Sequence, residues 1–156
     1  MSQAENEKLK KVEIKIRKVA KKDLIEISKI EAGNILVNTL SREQIQKAFY
    51  NENCFMFKAV VNDEVVGFIL LEQSDELNID SIAVKKEFRN LGIATKLISK
   101  AEECAKKNKI KTISLEVGIK NITAFLLYGK LGFVKRRVRK SYYEDGTDCL
   151  EMIKKI

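Results

Sequence analysis

The spacing of apolar residues changes along the chain, and each spacing predicts an element. Alternating apolar and charged residues at 12–16 are typical of a half-exposed strand. From about residue 21 the apolar positions follow helical spacing. A second helix is expected from Ser41, with Gln44 placed to complete a capping box. An irregular connection, residues 32–40, separates the two predicted helices.

Strand-like runs dominate the middle of the chain. Residues 54–61 and 64–71 are rich in β-forming residues and are separated by two turn residues, so they predict a hairpin. A short apolar run at 79–84 predicts another strand. After a basic loop, apolar residues over 93–105 draw one stripe, which is typical of an amphipathic helix.

The remaining elements are a strand at 110–117, a short helix at 122–130 and two strands at 133–140 and 149–153. Gly129 and Gly132 mark the expected end of the helix. The predicted order is β-α-α-β-β-β-α-β-α-β-β. Because residues 79–117 form a β-α-β unit, its two strands should be parallel.

Composition and charge indicate one globular domain with an affinity for anions. The 156 residues are 45% hydrophobic and 33% charged, which is enough to bury a core. The 30 Lys and Arg residues exceed the 22 Asp and Glu residues, and the net charge of +8 favours polyanionic ligands, of which nucleic acid is one. Outside residues 135–140 the basic residues are interleaved with acids, which argues against a direct nucleic-acid role.

Three missing features narrow the chemistry. The chain has no His, so a general base must be a carboxylate, a Tyr, a Lys or a water held by them. Its three Cys residues are widely spaced in apolar segments, which indicates core residues in a reducing compartment. No apolar run approaches a membrane span, and residues 1–11 lack a signal-peptide core. We therefore expect a cytoplasmic protein with a polar tail at 1–11 and one domain at 12–156.

The turn before the stripe at 93–105 reads Arg89-Asn90-Leu91-Gly92-Ile93-Ala94, or R-x-x-G-x-A. A helix that starts at a glycine-containing turn presents unpaired backbone N–H groups to phosphate oxygens. On spacing alone, an ordinary strand-to-helix connection is equally compatible. The turn resembles the acetyl-CoA-binding motif Q/R-x-x-G-x-G/A of the GNAT superfamily of N-acetyltransferases.

A second group of residues extends this resemblance. Glu116 lies on the polar face of a predicted strand, near its carboxyl end, where a solvated surface charge would also be ordinary. The matching residues are Leu115-Glu116-Val117, Asn121, Ala124, Tyr128, Gly132-Phe133, Tyr142-Tyr143, Asp145-Gly146 and Met152. In this order they resemble N-terminal acetyltransferases of the RimI type and the archaeal NatA catalytic subunit group. Gly118 departs from that pattern, because the group usually has Arg there, beside its peptide groove.

The resemblance implies a fold and an activity. The fold would be an α/β (α+β), single-domain GNAT fold, with a mixed, mostly antiparallel sheet of about seven strands, a central parallel β-α-β acetyl-CoA unit and about four helices. The activity would be transfer of an acetyl group from acetyl-CoA to the α-amino group of a protein N-terminus. A lysine or small-amine acetyltransferase and a non-catalytic CoA-binding module remain alternatives. Protein or peptide N-termini are the expected partners, with a ribosome or an auxiliary subunit as further candidates and no membrane.

The resemblance also implies roles for individual residues. Glu116 is the candidate base and Tyr128 the candidate acid to the coenzyme sulfur, with a plain aromatic packing role as the alternative for Tyr128. Glu31, Tyr142 and Tyr143 are expected at an acceptor groove between residues 32–40 and 142–146. The expected coenzyme-binding residues are Ile82, Ala83, Val84, Arg89, Asn90, Leu91, Gly92, Ile93, Ala94, Thr95, Asn121 and Tyr128. No metal site is expected.

The side chains of the two adjacent tyrosines are expected to point in opposite directions. Neighbouring residues of a strand point to opposite faces. If Tyr142 and Tyr143 belong to the strand-and-turn segment that ends the chain, one should face the acceptor and the other the body of the domain.

Overall fold

The computed structural model of the chain describes residues 2–5, 13–34 and 39–156. Most of the predicted tail at 1–11, and residue 12 of the first predicted strand, lie outside the described residues. Residues 35–38 of the irregular connection also lie outside them.

Within the described residues the chain forms, besides the helical residues 3–5, seven strands and four longer α-helices in the predicted order. The strands are β1 (Lys15–Lys18), β2 (Cys54–Val61), β3 (Glu64–Gln73), β4 (Leu77–Val84), β5 (Thr112–Gly118), β6 (Val134–Arg139) and β7 (Cys149–Lys155). The helices are α1 (Leu24–Ala32), α2 (Arg42–Phe49), α3 (Ile93–Lys107) and α4 (Ile122–Lys130). Short 3-10 turns stand before α1, at Lys21–Asp23, and after β4, at Lys86–Phe88.

The strands join one mixed sheet in the order β1-β2-β3-β4-β5-β7-β6. β4 and β5 run parallel, whereas the other neighbouring pairs are antiparallel. This arrangement confirms the predicted fold class and the parallel β-α-β unit, in which α3 leads from β4 to β5. The spatial order departs from the chain order at one point, because β7 lies between β5 and β6.

Two local predictions are confirmed by their hydrogen bonds and dihedral angles. Asn62 and Asp63 have φ values of 49° and 63°, the left-handed conformation that a two-residue hairpin turn between β2 and β3 requires. At the start of α2 the Ser41 hydroxyl accepts from the Gln44 backbone N–H at 3.1 Å, and the Gln44 side chain accepts from the Ser41 N–H at 2.8 Å. Both orphan N–H groups of this helix end are thereby satisfied.

Each face of the sheet carries its own apolar core. α1 and α2 lie on one face, where Ile27 and Ile45 belong to a buried cluster with Phe68. α3 lies on the other face, where Leu97 belongs to a larger buried cluster that includes Leu115. Full burial of one such side chain stabilises the fold by about 1.5–3 kcal/mol. The helices thus hold β3 and β4 from both sides, and the alternation along β5 leaves its polar residues on the α1 and α2 side.

Candidate active site

The sheet opens in its middle, between the two parallel strands. Among the described residues, β4 and β5 pair only at residues 77–79 with residues 113–115. Asp80 is an extra residue in β4, because Leu70 is opposite Ser81 while Leu71 is opposite Ile79. A β-bulge of this kind bends its strand. Beyond the bulge β4 stays paired with β3 alone, and a cleft of about 700 Å³ lies between β4 and β5.

The cleft collects many of the predicted site residues. Those that line it are Glu31, Ile82, Glu116, Asn121, Tyr128, Tyr142 and Tyr143. They come from α1, β4, β5, α4 and the connection between β6 and β7. The remaining predicted residues, Ala83, Val84 and Arg89 to Thr95, do not line the cleft; they lie at the end of β4 and at the start of α3.

The predicted phosphate turn has an open approach to the start of α3. Gly92 is the N-cap of the helix and has a φ of 84°, and a Cβ added there would meet no atom within 4 Å. Asn90 also has a positive φ, of 63°. Arg89 fixes the turn, because its Nε donates to the Val84 carbonyl at 3.2 Å and its guanidinium donates to Asn34 Oδ1 at 3.2 Å. The space beside Gly92 is therefore open at the end of α3 where an anion-binding turn presents its N–H groups.

Glu116 lies beside an ion cluster that is centred on the buried Glu151. Its cross-strand neighbour Glu151 is 2% exposed and accepts hydrogen bonds from Arg136 at 2.9 Å, Arg137 at 2.6 Å and Arg139 at 3.0 Å. The Arg136 hydrogen bond is the main reason that the pKa of Glu151 is lowered to about 2. The pKa of Glu116 moves the other way, raised first by burial and then by the negative charge of Glu151, with Arg139 partly opposing the rise. Glu116 is thus the better proton acceptor near neutral pH.

Tyr128 is held in place by the end of its helix. The Phe133 N–H donates to the Tyr128 carbonyl at 3.0 Å and the Gly132 N–H donates to the Gly129 carbonyl at 3.1 Å, which is a Schellman motif with Gly132 at a φ of 95°. Its apolar contact is the edge-on pair of Tyr128 and Phe133, with centroids 5.9 Å apart. The helix thus ends at Lys130, near Gly129 and Gly132, as predicted.

The environment of the Tyr128 hydroxyl bears on its chemistry. Burial raises the pKa of Tyr128 to about 12, so the hydroxyl stays protonated at neutral pH. Within the part of the chain that the structure describes, this hydroxyl has no hydrogen-bond partner. A protonated hydroxyl on a half-buried side chain at the wall of a cleft is suited to donate a hydrogen bond to a developing anion.

Asn121 and Glu31 both have structural partners at the edge of the cleft. Asn121 is the N-cap of α4, where its side chain accepts from the Ala124 N–H at 3.2 Å. Glu31 is 2% exposed, and its two carboxylate oxygens accept from the Ser81 hydroxyl at 2.8 Å and from the Leu40 N–H at 2.9 Å. Glu31 therefore connects α1 and β4 to Leu40, which lies just before the N-cap of α2. These contacts shape the cleft, so the role of Glu31 concerns that shape as much as direct contact with an acceptor.

The side chains of Tyr142 and Tyr143 lie together, whereas they were expected to point to opposite faces. Both precede β7 in an irregular connection after β6 ends at Arg139, so the alternation of a strand does not apply to them. Both line the cleft, with ring centroids 5.0 Å apart and edge to face. The ring of Tyr143 is 3.7 Å from the position of a Cβ at Gly118, so the missing side chain at Gly118 leaves room beside this ring.

Asn78 and Asp80 are among the cleft residues that were not predicted from the sequence. Asp80 stands in the β4 bulge, and Asn78 donates to Asp80 Oδ1 at 2.6 Å while it accepts from the Ser114 hydroxyl at 3.0 Å. A single charged residue inside a largely apolar strand was the available signal for Asp80. The bulge that turns Asp80 into the cleft leaves no mark in a two-residue periodicity.

The described residues contain no group of three or more His, Cys, Asp or Glu side chains that could hold a metal ion. None of the helices in the described part of the chain is long and apolar enough to cross a membrane.

A comparison with protein families matches residues 23–156 to the acetyltransferase (GNAT) domain. The chain belongs to this family of acetyltransferases. Among its relatives is an uncharacterised N-acetyltransferase of Methanocaldococcus jannaschii, which is 36% identical over 144 residues and is covered to 90% in both chains. The N-alpha-acetyltransferase of Saccharolobus solfataricus is 37% identical over 110 residues, which are 62% of this chain and 66% of the relative.

Solved structures agree with the family. The ribosomal-protein-S18-alanine N-acetyltransferase of Escherichia coli superposes with a TM-score of 0.84 at 25% identity, over 92% of this chain and 94% of the other. Acetyltransferases of this fold use acetyl-CoA, and solved neighbours hold acetyl-CoA or CoA. The residues of this chain fit such a ligand, because the space at Gly92 and the edge of β4 beyond its bulge are both open.

Proposed function

We propose that this acetyltransferase transfers the acetyl group of acetyl-CoA to the α-amino group of a protein N-terminus. The observation that carries the proposal is the single cleft between β4 and β5, which brings Glu116 and Tyr128 together with two tyrosines at its mouth. Relatives named as N-alpha-acetyltransferases, and one named for the alanine of a ribosomal protein, support the choice of acceptor.

The coenzyme would bind along β4 and at the start of α3. The Arg89 to Thr95 turn offers backbone N–H groups and the positive end of the α3 dipole to the pyrophosphate. Backbone groups of Ile82, Ala83 and Val84, on the edge that β5 leaves open, would pair with the amide-bearing arm of the coenzyme and supply a donor to the developing oxyanion. Asn121 would orient the coenzyme from the other side of the cleft.

Two side chains of the cleft would then accept and donate the protons of the reaction. Glu116, directly or through a water, accepts the proton that the nitrogen loses as it attacks the thioester. Tyr128 donates to the departing sulfur. Because the pKa of Tyr128 is about 12 and that of a thiol is about 8.5, hydrogen-bond donation is favoured over complete proton transfer.

The acceptor would enter between Leu40 and the Tyr142 to Asp145 segment, both of which line the cleft. Tyr142 and Tyr143 offer hydroxyl groups and flat apolar faces to an extended peptide. An α-amino group titrates near pH 8 and a lysine near 10.4, so an unassisted site at neutral pH finds far more neutral α-amine. A ribosome would be the natural source of nascent N-termini, and an auxiliary subunit is a further candidate partner.

Paired peptides test the choice of acceptor. Each pair has the same sequence with one internal lysine; one member has a free N-terminus and the other a blocked one. We expect acetylation of the free member, located on the α-amine by mass spectrometry, and at least a tenfold lower kcat/KM for the blocked member. Equal rates for both members would replace the N-terminal proposal with the lysine alternative. Coenzyme binding without acetylation of any peptide or small amine would favour the non-catalytic module.

A further inference from the structure

Asp80 places a carboxyl group in the cleft, and the proposed function assigns no role to it. It is the extra residue of the β4 bulge and lines the cleft beside Ser81. It also lines a second cavity of about 390 Å³, which lies against α2 and is bounded by Lys47, Cys54 and Glu72. Asp80 is therefore one of the residues that border both cavities, and it has the cleft on one side and a separate solvent-accessible space on the other.

The amide of Asn78 fixes the Asp80 carboxyl. The Ser114 hydroxyl donates to Asn78 Oδ1 at 3.0 Å, so the Asn78 nitrogen is turned toward Asp80 Oδ1, at 2.6 Å. The same amide also lowers the pKa of Glu116. Asn78 thus stands between two carboxyl groups of the cleft, as a neutral donor that can serve the charged form of either one.

The charges around Asp80 favour uptake of a proton. Partial burial raises the pKa of Asp80 to about 7, with further contributions from Glu72 on β3 and Glu116 on β5. Cys54 on β2 faces the same group, as its own raised pKa shows, and Tyr142 also feels its charge. Asp80 remains exposed on its cleft side, where water screens part of this repulsion, so the direction of the shift is the relevant quantity.

The reaction has two protons to remove from nitrogen. The acceptor arrives mostly as an ammonium ion, R–NH₃⁺, and must lose one proton before it can attack and a second as the amide forms. One of the two is balanced by the thiol that leaves, and the other is a net release to solvent. Glu116 accounts for the proton lost on attack, which leaves the first proton without an acceptor in the proposed mechanism.

Building on the proposed function, we propose that Asp80 takes the first proton from the acceptor ammonium and releases it through the second cavity. R–NH₃⁺ and the Asp80 carboxylate become R–NH₂ and the neutral acid, and the acid returns its proton to water on the Glu72 side before the next turnover. No other reactant is needed. The two carboxyl groups of the cleft thus divide the two protons, and Asn78 holds both in position.

The Asp80→Asn variant tests this division by its pH dependence. Asparagine keeps the shape and accepts a hydrogen bond but takes no proton. With a free N-terminal peptide we expect kcat/KM of the variant to fall about 10²-fold near pH 7.5, and to approach the wild-type value both at pH 9, where the peptide is already neutral, and below pH 6, where Asp80 already holds a proton. Asp75→Asn, the same change in the turn before β4, should leave the profile unchanged. A loss by the same factor at every pH would overturn the proposal and leave Asp80 a purely structural role.

A second measurement does not depend on the acceptor. Carbon-13 NMR of protein labelled at the Asp carboxyl carbons should show one Asp that titrates near neutral pH and disappears in Asp80→Asn. If every Asp titrates below about pH 5, the proposal fails whether or not the protein acetylates N-termini. If instead the titration is found but only blocked lysine peptides are acetylated, the N-terminal assignment fails, and the pH comparison with the lysine acceptor then decides the role of Asp80.

Discussion

Glu116 and Glu151 show how far the surroundings of a residue decide its chemistry. The two carboxylates are cross-strand partners on β5 and β7, yet the pKa of one is raised and that of the other is lowered to about 2. The difference arises from the three arginines of β6, which surround Glu151 and reach Glu116 only weakly. One glutamate is fixed as a permanent anion, and the other is left free to titrate.

Tyr128→Phe should separate chemistry from binding. The hydroxyl has no partner among the described residues, so its removal should leave the fold and the acetyl-CoA affinity close to wild type. We expect kcat to fall by about 10²-fold at a pH where chemistry limits the rate, measured by thiol release. Tyr50→Phe, at a tyrosine that is 61% exposed, is the control. Near wild-type turnover of the Tyr128 variant would remove this residue from the mechanism.

Glu31 is expected to act on the acceptor through the residue before α2. Glu31→Ala leaves the Leu40 N–H and the Ser81 hydroxyl without their acceptors, so the peptide KM should rise about tenfold while kcat and acetyl-CoA affinity change little. Glu31→Gln can accept from Leu40 and donate to Ser81 and should restore most of the loss. A fall in kcat with an unchanged KM in Glu31→Ala would contradict this positioning role.

At the scale of single residues, sequence spacing predicted the placement of side chains correctly only where the backbone is regular. Glu116 and Asn121 were predicted as site residues from the family resemblance, on a strand and at a helix start that spacing had located, and both line the cleft. Tyr142 and Tyr143 were assigned opposite directions by a strand rule that their irregular connection does not obey. Asp80 escaped notice because a bulge shifts side chains by one position without any change in composition.

At the scale of elements, the turn before α3 offers a clean test of coenzyme binding. A side chain at Gly92 points into open space, so Gly92→Trp should fold while it fills the room where a phosphate would bind. Gly92→Ala carries the same left-handed strain, about 1–2 kcal/mol, with little bulk. We expect calorimetry to show an acetyl-CoA affinity at least tenfold lower for Trp than for Ala. Equal affinities for Trp and wild type would move the coenzyme site elsewhere.

The element order followed from the sequence, and the separation of β4 from β5 did not. Hydrophobic periods, the two-residue turn at Asn62 and Asp63 and the capping box at Ser41 are local signals, and all of them reappear in the structure. Where two parallel strands stop pairing depends on contacts between residues far apart in the chain. The apolar run at 79–84 predicted most of β4, whereas no sequence signal predicted that β4 loses β5 as its partner after residue 79.

At the scale of the molecule, opposite pKa shifts predict a dome of stability against pH. The pKa of Glu151 is depressed in the folded state, so its contribution is complete above about pH 4.5 and is lost as the pH falls toward 2. The shift corresponds to roughly 3 kcal/mol of unfolding free energy. The pKa values of Asp80 and Glu116 are raised, so these groups destabilise the fold at neutral pH and cease to do so as they take up protons.

Denaturant unfolding from pH 8 to pH 2.5 checks this expectation. The unfolding free energy should rise as the pH is lowered from 8 toward 5 and should fall steeply below 4.5. Glu151→Gln removes the charge that three arginines surround, so it should cost about 3 kcal/mol at pH 7 and flatten the acid limb. Glu144→Gln, in the connection before β7, is a matched control. If the unfolding free energy of Glu151→Gln still falls steeply below pH 4.5, other carboxylates cause the loss of stability in acid.

The place of β7 between β5 and β6 has a consequence for synthesis. Domains generally fold as units during synthesis, so a strand that is made last can decide when a domain is completed. β1 to β4 can pair in the order in which they are made, but β5 and β6 must wait, since residues 149–155 separate them in the finished sheet and are made after both. Glu116 and the arginines of β6 acquire their final neighbours only with Glu151. A growing chain that has already built its coenzyme turn would thus remain unable to acetylate anything until β7 is inserted.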